Sequence, residues 1–246
     1  MGSWDGTVTV RGAYSSDQVD RHYRVYIPRR NDSDRPTGVI FALGGFTVDM
    51  YWLAEFTELN RLADREDLIV VYGQPEWRDF TSYWVFGWYV YEQAHQGSWE
   101  DNPDIAYLEA VLGEVSELYN VDSSRVYVTG HSRGAALSII AAHERPDLFA
   151  GYCAQAGFTG ANDYEDRIEE LALETPPAGY LVHGEDDPDV DVDESDDLSD
   201  LFDEMGYIRG TDYAYRRIEN ATHEWQSQYN QHVWDFLDAR ALGSER

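Results

Sequence analysis

Hydrophobic and polar positions divide the chain into short apolar runs, separated by longer segments in which apolar residues recur every three or four positions. Short continuous apolar runs are typical of strands that a sheet buries on both faces. The two runs nearest the N-terminus instead alternate polar and apolar residues, which predicts two antiparallel strands joined by a turn. The predicted strands cover residues 7–11, 22–27, 39–43, 68–72, 126–129, 151–155, 179–183 and 213–218.

The segments between the strands have the spacing of amphipathic helices, which place their apolar residues on one face. The predicted helices cover residues 50–65, 103–119, 135–143, 195–205 and 226–242. Because strands and helices alternate along the chain, we predict an α/β fold with a mostly parallel central sheet flanked by helices. A chain of 246 residues is long enough to form this fold as a single domain, residues 1–246.

The composition adds a strong acidic bias to this picture. The chain has 47 acidic and 18 basic residues, a formal net charge of −29, and every basic residue is arginine. This acidic, lysine-free composition resembles that of haloarchaeal proteins, in which high salt would screen the self-repulsion. A disordered acidic chain is not expected, because 14% of the residues are aromatic. A nucleic-acid partner is not expected either, since a polyanion would be repelled.

Three further observations narrow the class of protein. No run of 18 apolar residues occurs, so we predict neither a membrane span nor a membrane partner. The first residues lack a basic region and an apolar stretch, so we expect no signal peptide in this chain, which leaves a secreted or a cytoplasmic location open. The single cysteine, Cys153, lies in an apolar stretch and is predicted to be a packed core thiol.

The candidate chemistry begins at residues 130–134, G-H-S-R-G, which fit the pattern G-x-S-x-G. A predicted strand precedes this pentapeptide and a predicted helix follows it, which is the context that a nucleophile elbow requires. The elbow would hold Ser132 in a strained turn with its hydroxyl above the sheet edge, and the two glycines would let strand and helix approach closely. The alternative is a chance match in an ordinary loop.

A serine nucleophile needs a base, and the base needs an acid to orient it. In a sheet of this kind both should follow later strands, in the order serine, acid, histidine. Three aspartates, Asp186, Asp187 and Asp189, follow the strand that ends near residue 183. His223 precedes the last helix and is the preferred base, with His95 as the second choice.

Two other histidines lie close to these segments in the sequence. His131 is inside the elbow and is expected to face away from the site, and His183 at a strand end is expected to be a structural hydrogen-bonding residue. The carboxylate-rich segment that follows is interpreted as a solvated surface. It lacks the EF-hand pattern, and no convincing metal-ligand cluster is found, so no metal and no other cofactor is predicted.

Several stretches resemble one known group of enzymes. Residues 21–28 are similar to the opening R-x-Y-x-V-x-x-P, residues 121–134 to V-D-x-x-R-V-Y-V-T-G-x-S-x-G, and residues 146–150 to P-D-L-F-A. Residues 183–190 are similar to H-G-T-x-D-x-x-V, and residues 222–225 to G-H-x-W. On these motifs the chain resembles α/β-hydrolase esterases of the polyhydroxybutyrate-depolymerase and feruloyl/acetylxylan-esterase type.

The resemblance implies a serine carboxylic-ester hydrolase with the α/β-hydrolase fold, which acts through an acyl-enzyme. It would act on feruloyl or acetyl esters, or on polyhydroxyalkanoate-type polyesters, so the expected partner is a small-molecule or polymeric ester. The resemblance implies that the acid is Asp187, and it supports His223 as the base for Ser132. Two other functions stay open: a serine peptidase on the same fold, and a non-catalytic protein that binds a polymer or carbohydrate.

The chain also departs from the group. Gly44 and Gly45 stand where the group has His-Gly, but an oxyanion hole uses backbone N–H groups, for which we expect Phe46 and Arg133, with Thr47 in reserve. An aromatic-rich stretch, residues 74–102, replaces the W-N segment of the group and is expected to border the site, either as core or as a substrate groove. Trp84, within this stretch, and Trp225, beyond it, are expected to line the substrate site.

Overall fold

The computed structural model describes residues 2–12, 17–30, 34–80, 83–91 and 99–243, without the side chains of residues 77–80, 83–86 and 162. Its central element is an eight-stranded sheet with the order β1-β2-β4-β3-β7-β8-β9-β10. The strands are β1 Ser3–Arg11, β2 Gln18–Tyr26, β3 Thr37–Leu43, β4 Leu68–Gly73, β5 Glu76–Phe80, β6 Tyr83–Gly87, β7 Val121–His131, β8 Gly151–Gln155, β9 Ala178–Gly184 and β10 Tyr213–Ile218.

The sheet is mostly parallel, as the alternation of strands and helices predicts. β2 pairs antiparallel with both β1 and β4, and every other pair of neighbours in the large sheet is parallel. β5 and β6 form a separate antiparallel pair. The helices are α1 Met50–Phe56, α2 Leu59–Glu66, α3 Pro103–Leu118, α4 Arg133–Glu144, α5 Tyr164–Leu171, α6 Asp193–Glu204 and α7 Asn230–Asp238.

Hydrophobic cores cover both faces of the sheet, and β3 shows how the sequence produces them. Successive side chains of a strand point to opposite faces. Phe41 therefore packs into the core formed with α3 and α4, whereas Ile40 and Ala42 pack into the core formed with α1, α2 and α7. Every residue of β3 is buried. The prediction that this apolar run is a strand buried on both faces is confirmed.

Beyond shifts of one or two residues, the helices differ from the prediction in three places. The segment 50–65 is two helices, because Thr57 Oγ1 donates to the Leu53 carbonyl oxygen over 2.8 Å and Glu58 takes a left-handed conformation with φ 58°. The last helix is shorter than 226–242, since it begins at Asn230 after a 3-10 turn. Helix α5 was not predicted, and it buries only Tyr164 and Ile168. None of the described helices is long and apolar enough to cross a lipid bilayer.

Cys153 lies in β8 and is completely buried, so the prediction of a core thiol is confirmed. Burial raises its pKa to about 12, which keeps the thiol protonated and unreactive near neutral pH.

The parallel strands bring the candidate residues to one edge of the sheet. Phe46 follows β3, Ser132 follows β7, Asp187 follows β9 and His223 follows β10. Because these four strands are parallel to one another, their carboxyl ends meet at the same edge. Residues that are far apart in the sequence are thereby gathered around the point where β7 turns into α4.

Candidate active site

Ser132 occupies a strained turn between β7 and α4. Its backbone angles are φ 55° and ψ −120°, a region that a residue with a side chain rarely adopts. Ser132 N–H donates to the Gln155 carbonyl oxygen over 2.9 Å, and this bond holds the turn against the end of β8. The strain predicted for a nucleophile elbow is therefore present at Ser132.

The two glycines of the pentapeptide are required by close contacts between backbones. A Cβ at Gly130 would lie 2.1 Å from the Gly134 carbonyl oxygen, and a Cβ at Gly134 would lie 2.2 Å from the Leu43 carbonyl oxygen. Non-bonded atoms cannot approach so closely, so any side chain at these positions would push β7, α4 and β3 apart. Helix α4 begins at Arg133, which places the N–H groups of its first turn next to Ser132.

A hydrogen bond joins the predicted base to the predicted acid. His223 Nδ1 lies 2.7 Å from Asp187 Oδ2, and the carboxylate of Asp187 is completely buried. The other oxygen, Oδ1, accepts backbone N–H groups from Asp189 and Val190 over 2.9 and 3.0 Å. Of the three candidate aspartates it is Asp187 whose carboxylate faces His223, while Asp186 and Asp189 are exposed.

The surroundings of Asp187 favour its ionised form. Burial by itself would raise the pKa of this carboxyl group, but the N–H donors of Val190, His223 and Asp189 outweigh it, and the pKa lies below its ordinary value. A carboxylate that stays ionised can stabilise a positive charge on a histidine that it contacts.

The expectation that His131 faces away from the site is wrong. Its ring centroid lies 4.7 Å from that of His223, with the two rings tilted by 48°. Strand alternation puts His131 on the same face of the sheet as Tyr127, and the loop that carries His223 covers this face. Burial lowers the pKa of His131 to about 4, with a smaller effect from His223, so the ring is neutral near pH 7.

Two residues that sequence reasoning did not connect with the site support it. Gln155 accepts Ser132 N–H with its carbonyl oxygen, and its Oε1 accepts the Gln226 N–H over 2.7 Å, so it links the elbow to the loop after His223. His183 is a hydrogen-bonding residue, as expected, but it also approaches the acid, with Nε2 3.4 Å from Asp187 Oδ2. The spacing of the H-G-x-x-D pattern was the available signal for this contact.

The loop after β3 lies against the elbow. A Cβ at Gly45 would lie 3.3 Å from Ser132 Cβ, so a larger residue here would crowd the serine. Thr47 is left-handed with φ 67°, which is unusual for a β-branched residue and marks strain beside Phe46. Trp88 Nε1 donates to the Gly44 carbonyl oxygen over 2.8 Å. The described part of the aromatic stretch therefore supports the loop that carries Phe46.

Aromatic rings surround the Arg133 side chain beside the elbow. The guanidinium carbon lies 4.8 Å from the centroid of the Phe46 ring and 5.5 Å from that of Tyr91. Tyr91 in turn stacks on Phe158, with centroids 5.9 Å apart. Such cation–π contacts restrain both partners. The ring of Phe46 is 42% exposed, so one large apolar surface is available beside Arg133, the neighbour of Ser132 in the chain.

The remaining predicted site residues are Trp225, Trp84 and His95. Trp225 packs against the core on the α7 side of the sheet and donates from Nε1 to Asn230 Oδ1 over 3.1 Å. Its contact with substrate stays a prediction. The side chain of Trp84 and the whole of His95 lie outside the described residues. In the described part of the aromatic stretch, Trp88 and Trp99 are buried in the core.

Three side chains at the site also have the donor types of a metal site. Ligand atoms of Asp187, Asp189 and His223 lie within 4.8 Å of one another. The hydrogen bond between His223 and Asp187 already uses two of the three donors, so an ion would have to displace it. This geometry fits a histidine oriented by a carboxylate better than a metal centre.

Comparison with known families assigns the chain to one of them. The sequence profile of the Esterase family matches residues 16–234. The chain belongs to the Esterase family. Among curated relatives of this esterase-family chain, acetylxylan esterase A of Emericella nidulans is 29% identical over 164 residues, which are 65% of the chain and 50% of that protein. The chain spans 40 to 50% of the length of the first fungal relatives that it matches.

Solved structures confirm the fold. The acetyl xylan esterase from Aspergillus awamori has a TM-score of 0.70 at 16% identity, over 96% of this chain and 99% of that one. A ferulic acid esterase from Anaeromyces mucronatus also gives 0.70 at 16% identity, over 97% of this chain and 90% of that one. The predicted α/β-hydrolase fold of this esterase-family chain is confirmed.

Proposed function

We propose that this esterase-family chain is a serine carboxylic-ester hydrolase that works through an acyl-enzyme on Ser132. The observation that carries the proposal is the 2.7 Å hydrogen bond between His223 Nδ1 and Asp187 Oδ2. A histidine bound in this way keeps its proton on Nδ1 and offers Nε2 as a base. The ring contact between His223 and His131, the neighbour of Ser132 in the chain, supports the assignment of His223 to this elbow.

In the proposed mechanism Ser132 Oγ attacks the ester carbonyl carbon while His223 Nε2 removes the hydroxyl proton. The oxyanion that forms is stabilised by the backbone N–H groups of Arg133 and Phe46, with Thr47 as the alternative to Phe46. Collapse of the intermediate breaks the ester bond, and the alcohol leaves with the proton from His223. Water then attacks the acyl-enzyme by the same steps and releases the acid.

Acetyl and feruloyl esters are the substrates that we propose. The relatives and structural neighbours named as acetylxylan and ferulic acid esterases support this choice. The exposed ring of Phe46, held over the Arg133 guanidinium, supports it as well, because a planar or apolar acyl group can pack on such a surface. Polyhydroxyalkanoate esters are included as a test substrate.

The proposal is tested by labelling with a fluorophosphonate and by hydrolysis assays. The substrates are p-nitrophenyl acetate, methyl ferulate, polyhydroxybutyrate and a peptide p-nitroanilide. We expect Ser132→Ala to abolish labelling, and Ser132→Ala and His223→Ala each to lower ester turnover by several orders of magnitude. Ser138→Ala is the matched control, because it removes a buried hydroxyl from helix α4, directly after the elbow, and this hydroxyl donates only to the Gly134 carbonyl oxygen among its described partners.

Retention of more than about a tenth of the ester turnover in Ser132→Ala would contradict the proposal. Faster cleavage of the peptide p-nitroanilide than of any ester would favour a peptidase instead. A folded wild-type protein that neither takes up the label nor hydrolyses any ester would favour a non-catalytic binding protein.

A further inference from the structure

His183 is a second histidine at the carboxylate of Asp187, and its side chain is completely buried. It lies at the end of β9, with Nδ1 2.7 Å from Ser195 Oγ and Nε2 3.1 Å from the Val190 carbonyl oxygen. The same Nε2 is 3.4 Å from Asp187 Oδ2, the oxygen that also contacts His223. Two histidine rings therefore approach one carboxylate oxygen.

The partners of His183 determine which of its nitrogens carries the proton. A carbonyl oxygen can only accept, so the Nε2 that faces Val190 carries the hydrogen. The Nδ1 of the neutral ring is then an acceptor, and it receives the hydroxyl hydrogen of Ser195. Burial lowers the pKa of His183 below its ordinary value, which keeps the ring in this neutral form.

These bonds close the loop that carries the acid. His183 Nε2–H binds the carbonyl oxygen of Val190, and the N–H of the same Val190 binds Asp187 Oδ1. His183 thus restrains both ends of the segment 184–190, while its N–H also faces Oδ2. The carboxylate has backbone donors on one oxygen and histidine N–H groups on the other, so its plane is defined from both sides.

We propose that His183 is a positioning residue that aims the Asp187 carboxylate at His223, with the Ser195 hydroxyl holding the His183 ring in place at Nδ1. The inference rests on the proposed function, because it gives Asp187 the task of orienting the base. The side chain of His183 is completely buried, so it acts through the acid and not on the substrate itself. A displacement of about 1 Å in a catalytic group can cost about 10²-fold in rate, so a carboxylate without this support would orient His223 poorly.

The experiment compares three variants of the full chain by steady-state kinetics on p-nitrophenyl acetate and by the rate of fluorophosphonate labelling. His183→Leu removes both hydrogen bonds but keeps the side-chain volume. His183→Gln keeps an N–H near the position of Nε2. Ser195→Ala removes the hydroxyl that holds the ring at Nδ1. His143→Leu is the matched control, because His143 is equally buried and neutral but lies in the core beside Phe202.

We expect His183→Leu to lower kcat and the labelling rate together by about 10²-fold, with KM changed by less than about threefold. His183→Gln should recover at least a tenth of the wild-type kcat, and Ser195→Ala should lose about tenfold. His143→Leu should lower the melting temperature and leave kcat within about twofold. This pattern separates positioning from stability, because a purely structural role would lower the melting temperature without slowing the folded enzyme.

A kcat of His183→Leu within threefold of wild type, in folded protein, would overturn the inference. If His183→Leu does not fold, Ser195→Ala decides: an unchanged kcat and labelling rate overturn the inference, and a parallel tenfold loss supports it. Failure of the proposed function is a different result, since the wild-type protein itself would then show neither labelling nor ester hydrolysis.

Discussion

Two aspartates close together in the sequence have different surroundings at the site. Asp187 and Asp189 are two positions apart, yet the carboxylate of Asp187 is buried and bound to His223 whereas that of Asp189 is exposed. Asp189 serves the site through its backbone N–H, which donates to Asp187 Oδ1. The side chain of Asp189 is therefore free to change, whereas that of Asp187 is not.

We expect Asp187→Asn to lower kcat/KM on an acetate ester by about 10³- to 10⁴-fold. An amide at this position can donate to Nδ1 and so favours the wrong tautomer of His223. Asp189→Asn and Asp186→Asn should stay within about threefold of wild type, and they serve as controls of equal charge change. A larger loss in Asp189→Asn than in Asp187→Asn would show that the acid lies two residues further along the chain.

Buried neutral histidines make stability depend on pH. His143 is completely buried, its Nδ1 lies 2.9 Å from the Ile139 carbonyl oxygen, and burial lowers its pKa from 6.5 to about 4. Between these two values the unfolded chain binds a proton that the folded chain does not bind. The free energy of unfolding from this group is therefore fully present above pH 6.5 and decreases as the pH falls toward 4.

We expect the free energy of unfolding of the wild-type protein to fall between pH 6.5 and 4, with about 3 kcal/mol of the decrease due to His143. His143→Leu should show a shallower pH dependence over the same window. Urea unfolding at about 1 M potassium chloride measures this, because salt weakens the repulsion among the surface carboxylates, which would otherwise add a pH dependence of its own. Equal slopes for the two proteins would show that His143 is not the group responsible.

At the scale of elements, the turn from β7 into α4 depends on the absence of side chains. Gly134 lies where a Cβ would meet the carbonyl oxygen of Leu43 at 2.2 Å, so β3, β7 and α4 meet there with no spare volume. Gly113 in α3 is the opposite case, because it is exposed and a Cβ at this position would have no neighbouring atom within 4 Å.

We expect Gly134→Ala to destabilise the protein by more than about 4 kcal/mol, since the backbones of two strands and a helix would have to separate. Gly113→Ala should instead stabilise it by about 0.5–1 kcal/mol, because alanine loses less conformational freedom than glycine in a helix. Melting temperatures of the two variants provide the test. An unchanged melting temperature in Gly134→Ala would mean that the elbow is packed less tightly than described.

At the scale of the whole molecule, the net charge of −29 is the dominant electrostatic feature. Some arginines neutralise several carboxylates at once; Arg167, for example, contacts Glu100, Glu144 and Glu170. With 47 acidic and 18 basic residues, most carboxylates still have no cation of their own. Two exposed carboxylates about 8 Å apart repel by roughly 0.5 kcal/mol, and many such pairs oppose a net stability of about 5–15 kcal/mol.

We expect the melting temperature to rise steeply between about 0.1 and 1 M potassium chloride, where the screening length falls from about 10 to 3 Å. Sodium chloride should act nearly alike, because the mechanism is screening and not binding of a particular cation. Melting curves in the two chloride series measure this. A protein equally stable and active at about 0.05 and 2 M salt would show that the acidic surface is not an adaptation to salt.

The sequence by itself determined the order of the elements and the position of the elbow, because both depend on local patterns. The apolar run of β3 and the pentapeptide around Ser132 each carry their structural requirement within a few residues, in residue type and spacing. The same reasoning predicts His223 as the base from its place after a late strand. The prediction from local patterns was wrong at Glu58, because its left-handed conformation divides one predicted helix into two.

Only the tertiary structure decided which side chains meet. The resemblance already indicates Asp187, but the contact of His131 with the His223 ring, and the link that Gln155 makes between the elbow and the loop after His223, join residues on different strands and loops. The path of the loop after β10 and the packing of the sheet edge set these contacts, and both depend on residues far from the ones that touch. A hydrogen bond across 36 positions depends on the packing of the whole sheet edge, so it becomes visible only once the chain is folded.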